Sequence, residues 1–356
     1  MSGLARLMQE IMDIESVSGN ERALADLVES RLAGLPHLEL HRDGDCVLAR
    51  TTLGRAERVV IAGHLDTVPV AGNLPSRLLA RPEGDVIWGR GASDMKGGVA
   101  VMLTLAAELS APIRDITWIF YDHEEVEAAA NGLGRLSRNR PDLVAADFAV
   151  LMEPTGAQIE GGCQGTIRID LTSSGTAAHS ARAWMGHNAI HDLAPVLATL
   201  AAYRSEEIEV EGLVYREGLN AVAISGGMAG NVIPPSATMQ INYRFAPDKS
   251  VDEALARLRG WFPGHDLVVA DASPAARPGL DRPAAQQFVA AIGEPARPKY
   301  GWTDVARFSE LGIPAVNYGP GDPSVAHRDD ESCPVSDLDK CAAGLRRWLT
   351  PEGATP

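Results

Sequence analysis

The feature that most constrains this chain is a set of short apolar runs set between segments of helical periodicity. Residues 58–63, 116–121 and 148–152 are almost unbroken in Val, Ile, Leu, Phe, Trp and Ala. A strand with no polar alternation is one covered on both faces. Residues 4–14 and 21–32 place apolar side chains three and four apart, the spacing of an amphipathic helix. Ser18-Gly19-Asn20-Glu21 separates these two and offers capping residues to the second. Residues 97–109, opening on two glycines, and 131–137 follow as helices. Buried strands alternating with helices predict an α/β fold, a mostly parallel sheet with helices on both faces.

The pattern changes after Gly161-Gly162. Residues 166–171, 220–224 and 238–245 alternate, as half-exposed strands do, and 188–202 and 251–261 read as helices. A short strand at 267–269 closes this stretch, and 272–283 is rich in Pro, Ala and Gly. The buried type then resumes with a strand at 314–318 and a closing helix at 336–349. At 356 residues the chain exceeds what one hydrophobic core usually serves. We therefore expect residues 1–164 and 276–356 to form one metal-binding catalytic domain, with 165–275 an inserted α+β domain.

Several classes are excluded. Lys and Arg number 32 against 47 Asp and Glu, a net −15 with no basic cluster, so nucleic acid is not an expected partner. No run approaches the ~18–20 apolar residues of a membrane span, and residues 1–14 lack the pattern of a signal peptide. Cys46, Cys163, Cys333 and Cys341 form no C-x-x-C pair, and widely spaced thiols make a reducing cytoplasm the expected location.

The acidic and imidazole residues are not scattered. His64-Leu65-Asp66 follows the run at 58–63, and Asp122-His123-Glu124-Glu125 follows that at 116–121. Glu153-Pro154 follows the run at 148–152, and His327 comes shortly after that at 314–318. Asp94 lies in a glycine-rich turn just before the helix at 97–109. In open α/β sheets, sites form at the carboxyl ends of strands, so these residues should converge on one rim. Imidazoles and carboxylates suit zinc, manganese or cobalt, and carboxylates gathered without cations would repel one another. Five ligands for two ions require one carboxylate to bridge, leaving positions open for an activated water. Of Glu124 and Glu125, one suits a ligand and its neighbour a general base. Asp66 is placed to support the second ring nitrogen of His64.

His64-Leu65-Asp66-Thr67-Val68-Pro69, Gly91-Ala92-Ser93-Asp94-Met95-Lys96-Gly97-Gly98, Glu124-Glu125, Glu153-Pro154 and Ala326-His327 together resemble the motifs of the M20-type dizinc amidohydrolases and exopeptidases. The likeness covers nearly the whole chain. It implies that His64 and Glu153 hold one zinc, Glu125 and His327 the other, with Asp94 bridging and the following peptide often cis. It makes Glu124 the base and Asp66 the support of His64. Within the family the chain is most similar to the desuccinylase branch. Asn131-Gly132-Leu133-Gly134, Gly162-Cys163-Gln164-Gly165-Thr166 and Gly301-Trp302-Thr303-Asp304 carry that likeness. The expected reaction is hydrolysis of N-succinyl-LL-2,6-diaminopimelate, which places the chain in lysine and diaminopimelate synthesis. Acetylornithine deacetylase-like deacylation or carboxypeptidase action is the alternative. A non-catalytic binding protein is disfavoured because ligands and base are all present.

The same resemblance implies a homodimer formed through the inserted domain, with His179 stabilising the oxyanion in the partner subunit's site. Arg244, Asn231, Thr303, Gly301 and Arg182 match substrate-contacting positions. Cys163-Gln164 stands where relatives carry a basic pair, leaving Arg182 or Arg168 to anchor a carboxylate.

Overall fold

The computed structural model describes residues 3–351. It divides into two compact units. One comprises the chain up to Gly161, Pro278–Arg297 and everything from Arg307 on. The other is Gly162–Arg277 together with Pro298–Ala306. This last segment, which carries Gly301 and Thr303, lies outside the expected 165–275 insertion. It is tied there by Trp302 Nε1 donating to Pro274 O (3.0 Å) and Gln164 N to Lys299 O (3.3 Å).

The first unit is built on an eight-stranded sheet. From one edge the strands run Glu39–Asp43, Cys46–Arg50, Asp115–Tyr121, Arg58–His64, Phe148–Leu151, Ala315–Asn317, Glu160–Gly161 and Arg297–Pro298. The middle four are mutually parallel, while Cys46–Arg50 and Glu160–Gly161 pair antiparallel to them. Val59, Ile61, Trp118 and Phe120 join one core with the helices Gly3–Met12, Arg22–Leu32, Gly97–Glu108, Pro283–Ile292 and Val335–Leu349. The alternate residues Val60, Ala62, Ile119 and Leu151 are just as fully buried outside that core. Both faces are thus covered, as the unbroken apolar runs require.

Two details depart from the sequence reading. The hairpin Glu39–Asp43/Cys46–Arg50 was not expected, although Asp43-Gly44 is a tight-turn signal and Gly44 takes φ +62°. The helix Arg22–Leu32 begins at Glu21 with no side-chain cap. Ser18 is instead committed to Asp66 and Asn20 to Glu15.

The second unit is a four-stranded antiparallel sheet in the order Gly218–Gly226, Ser236–Phe245, Gly165–Ser174, Leu267–Ser273. Tyr243, Ile241, Ile169 and Leu258 form its core, so the alternation along Ser236–Phe245 is that of a half-covered sheet. The helix expected over 188–202 is broken into Ala189–Asp192 and Ala194–Ala202. Pro195 has no amide to donate, so the chain restarts a helix there. Gly218–Gly226 does not alternate; its residues from Asn220 on are exposed on both faces, as befits a strand bonded on one side only.

Candidate metal centre

Because the central strands are parallel, their carboxyl ends lie on one rim of the sheet. His64 is the last residue of its strand and sits opposite Tyr121 in register. Asp122–Glu125 and Glu153 leave the sheet at the ends of the flanking strands. Gly98 lets the following helix approach this rim, since a Cβ there would lie 2.8 Å from Met152 Cβ. Asp94 enters through the turn Ala92–Lys96, which Gly91 opens at φ +79°, and the Asp94–Met95 peptide is cis.

Three overlapping groups of donor atoms result, each with its atoms within 4.8 Å of one another. They are His64, Asp94 and Glu153; Asp94, Glu125 and His327; and His64, Glu124 and Glu125. Asp94 is common to the first two. Its Oδ1 lies 3.0 Å from His64 Nε2 and its Oδ2 3.3 Å from His327 Nε2, so its two oxygens face opposite imidazoles. His327 Nε2 is 2.9 Å from Glu125 Oε1. Four donors at ~2.0–2.1 Å around a tetrahedral cation stand roughly 3.3 Å apart. The observed separations are close to that, and the donor set is all imidazole and carboxylate. The residues therefore fit two divalent cations sharing one carboxylate.

The electrostatics say the same. Hydrogen bonds to Asp94 and Glu125 lift the His327 imidazole to about 10 against partial burial. Burial opposes charge on His64, yet its contacts with Asp66 and Asp94 raise it well above the ordinary histidine value. Burial likewise opposes charge on Asp94, but the two imidazoles hold its carboxyl below the usual range. Carboxylates here demand positive charge, and bound protons are what cations would replace.

Asp66 does more than support His64. It is fully buried, and accepts Glu124 N and Glu125 N, both at 3.0 Å, and Ser18 Oγ at 2.6 Å. His64 Nδ1 lies 2.9 Å from the main-chain oxygen of Asp66 and 3.5 Å from its carboxylate. Burial raises Asp66, but its hydrogen bonds outweigh this and hold it at about 2. One carboxylate thus fixes both the strand end and the paired glutamates. Glu21, buried and bonded to Gly19 N (2.9 Å) and His123 N (3.2 Å), braces the same turn.

In the second unit, His179 and Asn231 are brought together on the short ribbon Ala178–His179/Val232–Ile233, where Ser180 N donates to Asn231 O at 2.9 Å. Arg182 follows in the turn Ser180–Met185 and is exposed. Exposed His179 accepts Ala181 N on Nδ1 at 3.1 Å, which puts the ring proton on Nε2. Arg244 pairs with Thr166 and shares its sheet face with Arg168 and Asn242. Gln164 donates to Arg216 O (2.6 Å) and Cys163 Sγ lies 3.7 Å from Thr303 O. Both are spent on main-chain oxygens. Among the replacement anchors, Arg168 lies on the Arg244 face and Arg182 on the His179 ribbon.

Ser18, Glu21 and Glu331 were missed by sequence reasoning. Each acts through a contact distant in sequence and carries no local motif.

The chain matches the profile of peptidase family M20/M25/M40 over residues 60–350. It is 46% identical over 355 residues to a succinyl-diaminopimelate desuccinylase of Corynebacterium glutamicum, covering 97% of this chain and 95% of the relative. It is 54% identical over 346 residues to a DapE protein of Mycobacterium tuberculosis, provisionally named a succinyl-diaminopimelate desuccinylase, covering 96% and 97%. Among solved structures it is similar in fold to aminopeptidase PepT of Bacillus cereus, with TM-score 0.79, 18% identity and 97% of each chain covered. A metallo-carboxypeptidase of Sulfolobus solfataricus gives TM-score 0.75 at 18% identity, with 98% of each chain covered.

Proposed function

The chain belongs to peptidase family M20/M25/M40, and from that membership we propose that it hydrolyses N-succinyl-LL-2,6-diaminopimelate to succinate and LL-2,6-diaminopimelate. The observation that carries this reading is the near-full-length likeness to desuccinylases in a chain whose five ligand candidates and Glu124 gather at one rim. His64 and Glu153 hold one cation, Glu125 and His327 the other, and Asp94 both. Two divalent ions, zinc by ligand type with cobalt or manganese as substitutes, supply a polarised carbonyl and a water of lowered pKa. Glu124, oriented through its amide by Asp66, takes the proton from that water. The hydroxyl adds to the succinyl carbonyl carbon, the amide C–N bond breaks, and Glu124 returns the proton to the leaving amine.

The second unit supplies recognition. Arg244 is half-buried, which lowers its pKa but leaves it charged at neutral pH, so its guanidinium suits a substrate carboxylate. Asn231, Thr303, Gly301 and Arg182 line the substrate with it. The partner subunit's His179 donates from Nε2 to the oxyanion. A homodimer is supported by the exposed edge strand Gly218–Gly226, where Val222 and Ile224 are each 55% exposed. Such an edge invites a second copy. Free, buried thiols at Cys46, Cys163, Cys333 and Cys341 support a cytoplasmic location. No helix of the described residues is long and apolar enough to cross a membrane.

The test is an assay of metal-loaded protein against succinyl-diaminopimelate, acetylornithine and dipeptides. Succinate release should dominate by orders of magnitude. Preference for either other substrate overturns the assignment of acyl group while leaving the metal chemistry in place.

A further inference from the structure

The turn that presents Asp94 does not hold itself. Asp94 and Met95 lie outside helical φ/ψ, so the amides leading into them lack the usual helical acceptors. A single buried carboxylate, Glu331 at 1% exposure, takes their place. Its Oε1 accepts Ser93 N at 2.9 Å and Asp94 N at 3.0 Å. Its Oε2 accepts Gly91 N at 3.2 Å and Arg90 Nη1 at 2.9 Å. Gly89 N donates to the Glu331 main-chain oxygen at 3.0 Å, and Arg90 Nη1 also reaches Arg328 O at 3.2 Å. Glu331 comes four residues after His327. The segment that delivers one imidazole is therefore pinned to the turn that delivers the shared carboxylate.

We propose that Glu331 is the positioning residue of Asp94, holding three main-chain amides so that the Asp94 carboxylate stands between both cations before they bind. This rests on the reading of Asp94 as the shared ligand. A buried charge with four donors is strongly directional, because every donor lost leaves an unpaired group in the interior. Partners of metal ligands that fix ligand geometry typically change metal affinity about 10- to 100-fold when removed.

The test uses metal-free protein titrated with Co²⁺, reading affinity for each ion by calorimetry and the visible spectrum. Glu331→Gln keeps an acceptor for Ser93 and Asp94 but loses one for Gly91 and Arg90. It should weaken one of the two ions by about 10- to 100-fold and shift the spectrum, with Glu331→Ala more severe. Wild-type affinity and spectrum in a folded Glu331→Ala would make the residue merely structural and overturn the proposal. Asp94→Asn is the separate check: if it binds both ions normally, the shared-ligand reading fails whatever Glu331 does. Should the Glu331 variants not fold, hydrogen exchange in the natural protein decides. Ser93 and Asp94 amides protected without metal support preorganisation, and protection gained only on metal addition overturns it.

Discussion

Glu124 and Glu125 are chain neighbours, and Asp66 takes one amide from each. Fixing two successive amides lets adjacent carboxylates separate, one towards His327 and the other towards the open side. A ligand and a base can then be the same residue type one position apart. Glu124→Gln keeps shape and hydrogen bonding but cannot accept a proton. It should cost about 10²–10⁴ in kcat while both ions remain bound. Near-normal turnover by a fully loaded Glu124→Gln would remove Glu124 from the chemistry.

Elements owe their register to polar staples as much as to apolar runs. Asp115, at the start of a central strand, accepts Leu53 N (2.8 Å), Arg55 N (2.9 Å) and Thr51 Oγ1 (2.9 Å). Burial raises its carboxyl, but these donors and nearby Arg58 more than offset that and lower it. A depressed carboxyl stabilises the fold fully above the unfolded aspartate value of about 3.9, and that stability is lost as pH falls through the lowered folded value. Asp115→Asn should cost about 1–3 kcal/mol at neutral pH. Denaturant melts should show this gap closing in acid, and a gap that stays constant down to pH 3 would refute the account. Local chemistry also set limits that periodicity did not show. Pro195 split one expected helix, and the Asp43-Gly44 turn added a hairpin.

For the whole molecule, the net −15 opposes a substrate bearing several carboxylates, so recognition falls to Arg244 and other local cations. The exposed strand Gly218–Gly226 and the proposed role of His179 tie activity to assembly. Ile224→Glu places a charge on that edge without touching the metal rim. It should shift the protein to monomer in sedimentation and lower kcat/KM by about 10²-fold or more, the scale of losing one oxyanion donor. A monomeric Ile224→Glu with full activity would show that each subunit completes its own site.

The residues of the sheet and metal rim were legible in the sequence because burial on both faces leaves unbroken apolar runs. Parallel strands, moreover, must end at a common rim. His64, Asp94, Glu124, Glu125, Glu153 and His327 each sit where such a strand or its following helix turns. What only the tertiary structure decided were the carboxylates that serve main-chain amides. Asp66 spans 58 and 59 residues to its partners and Glu331 spans 237 and 238. An amide is the same in every residue, so a contact made to one leaves no mark in the partner's side chain. Only folding brings the two together.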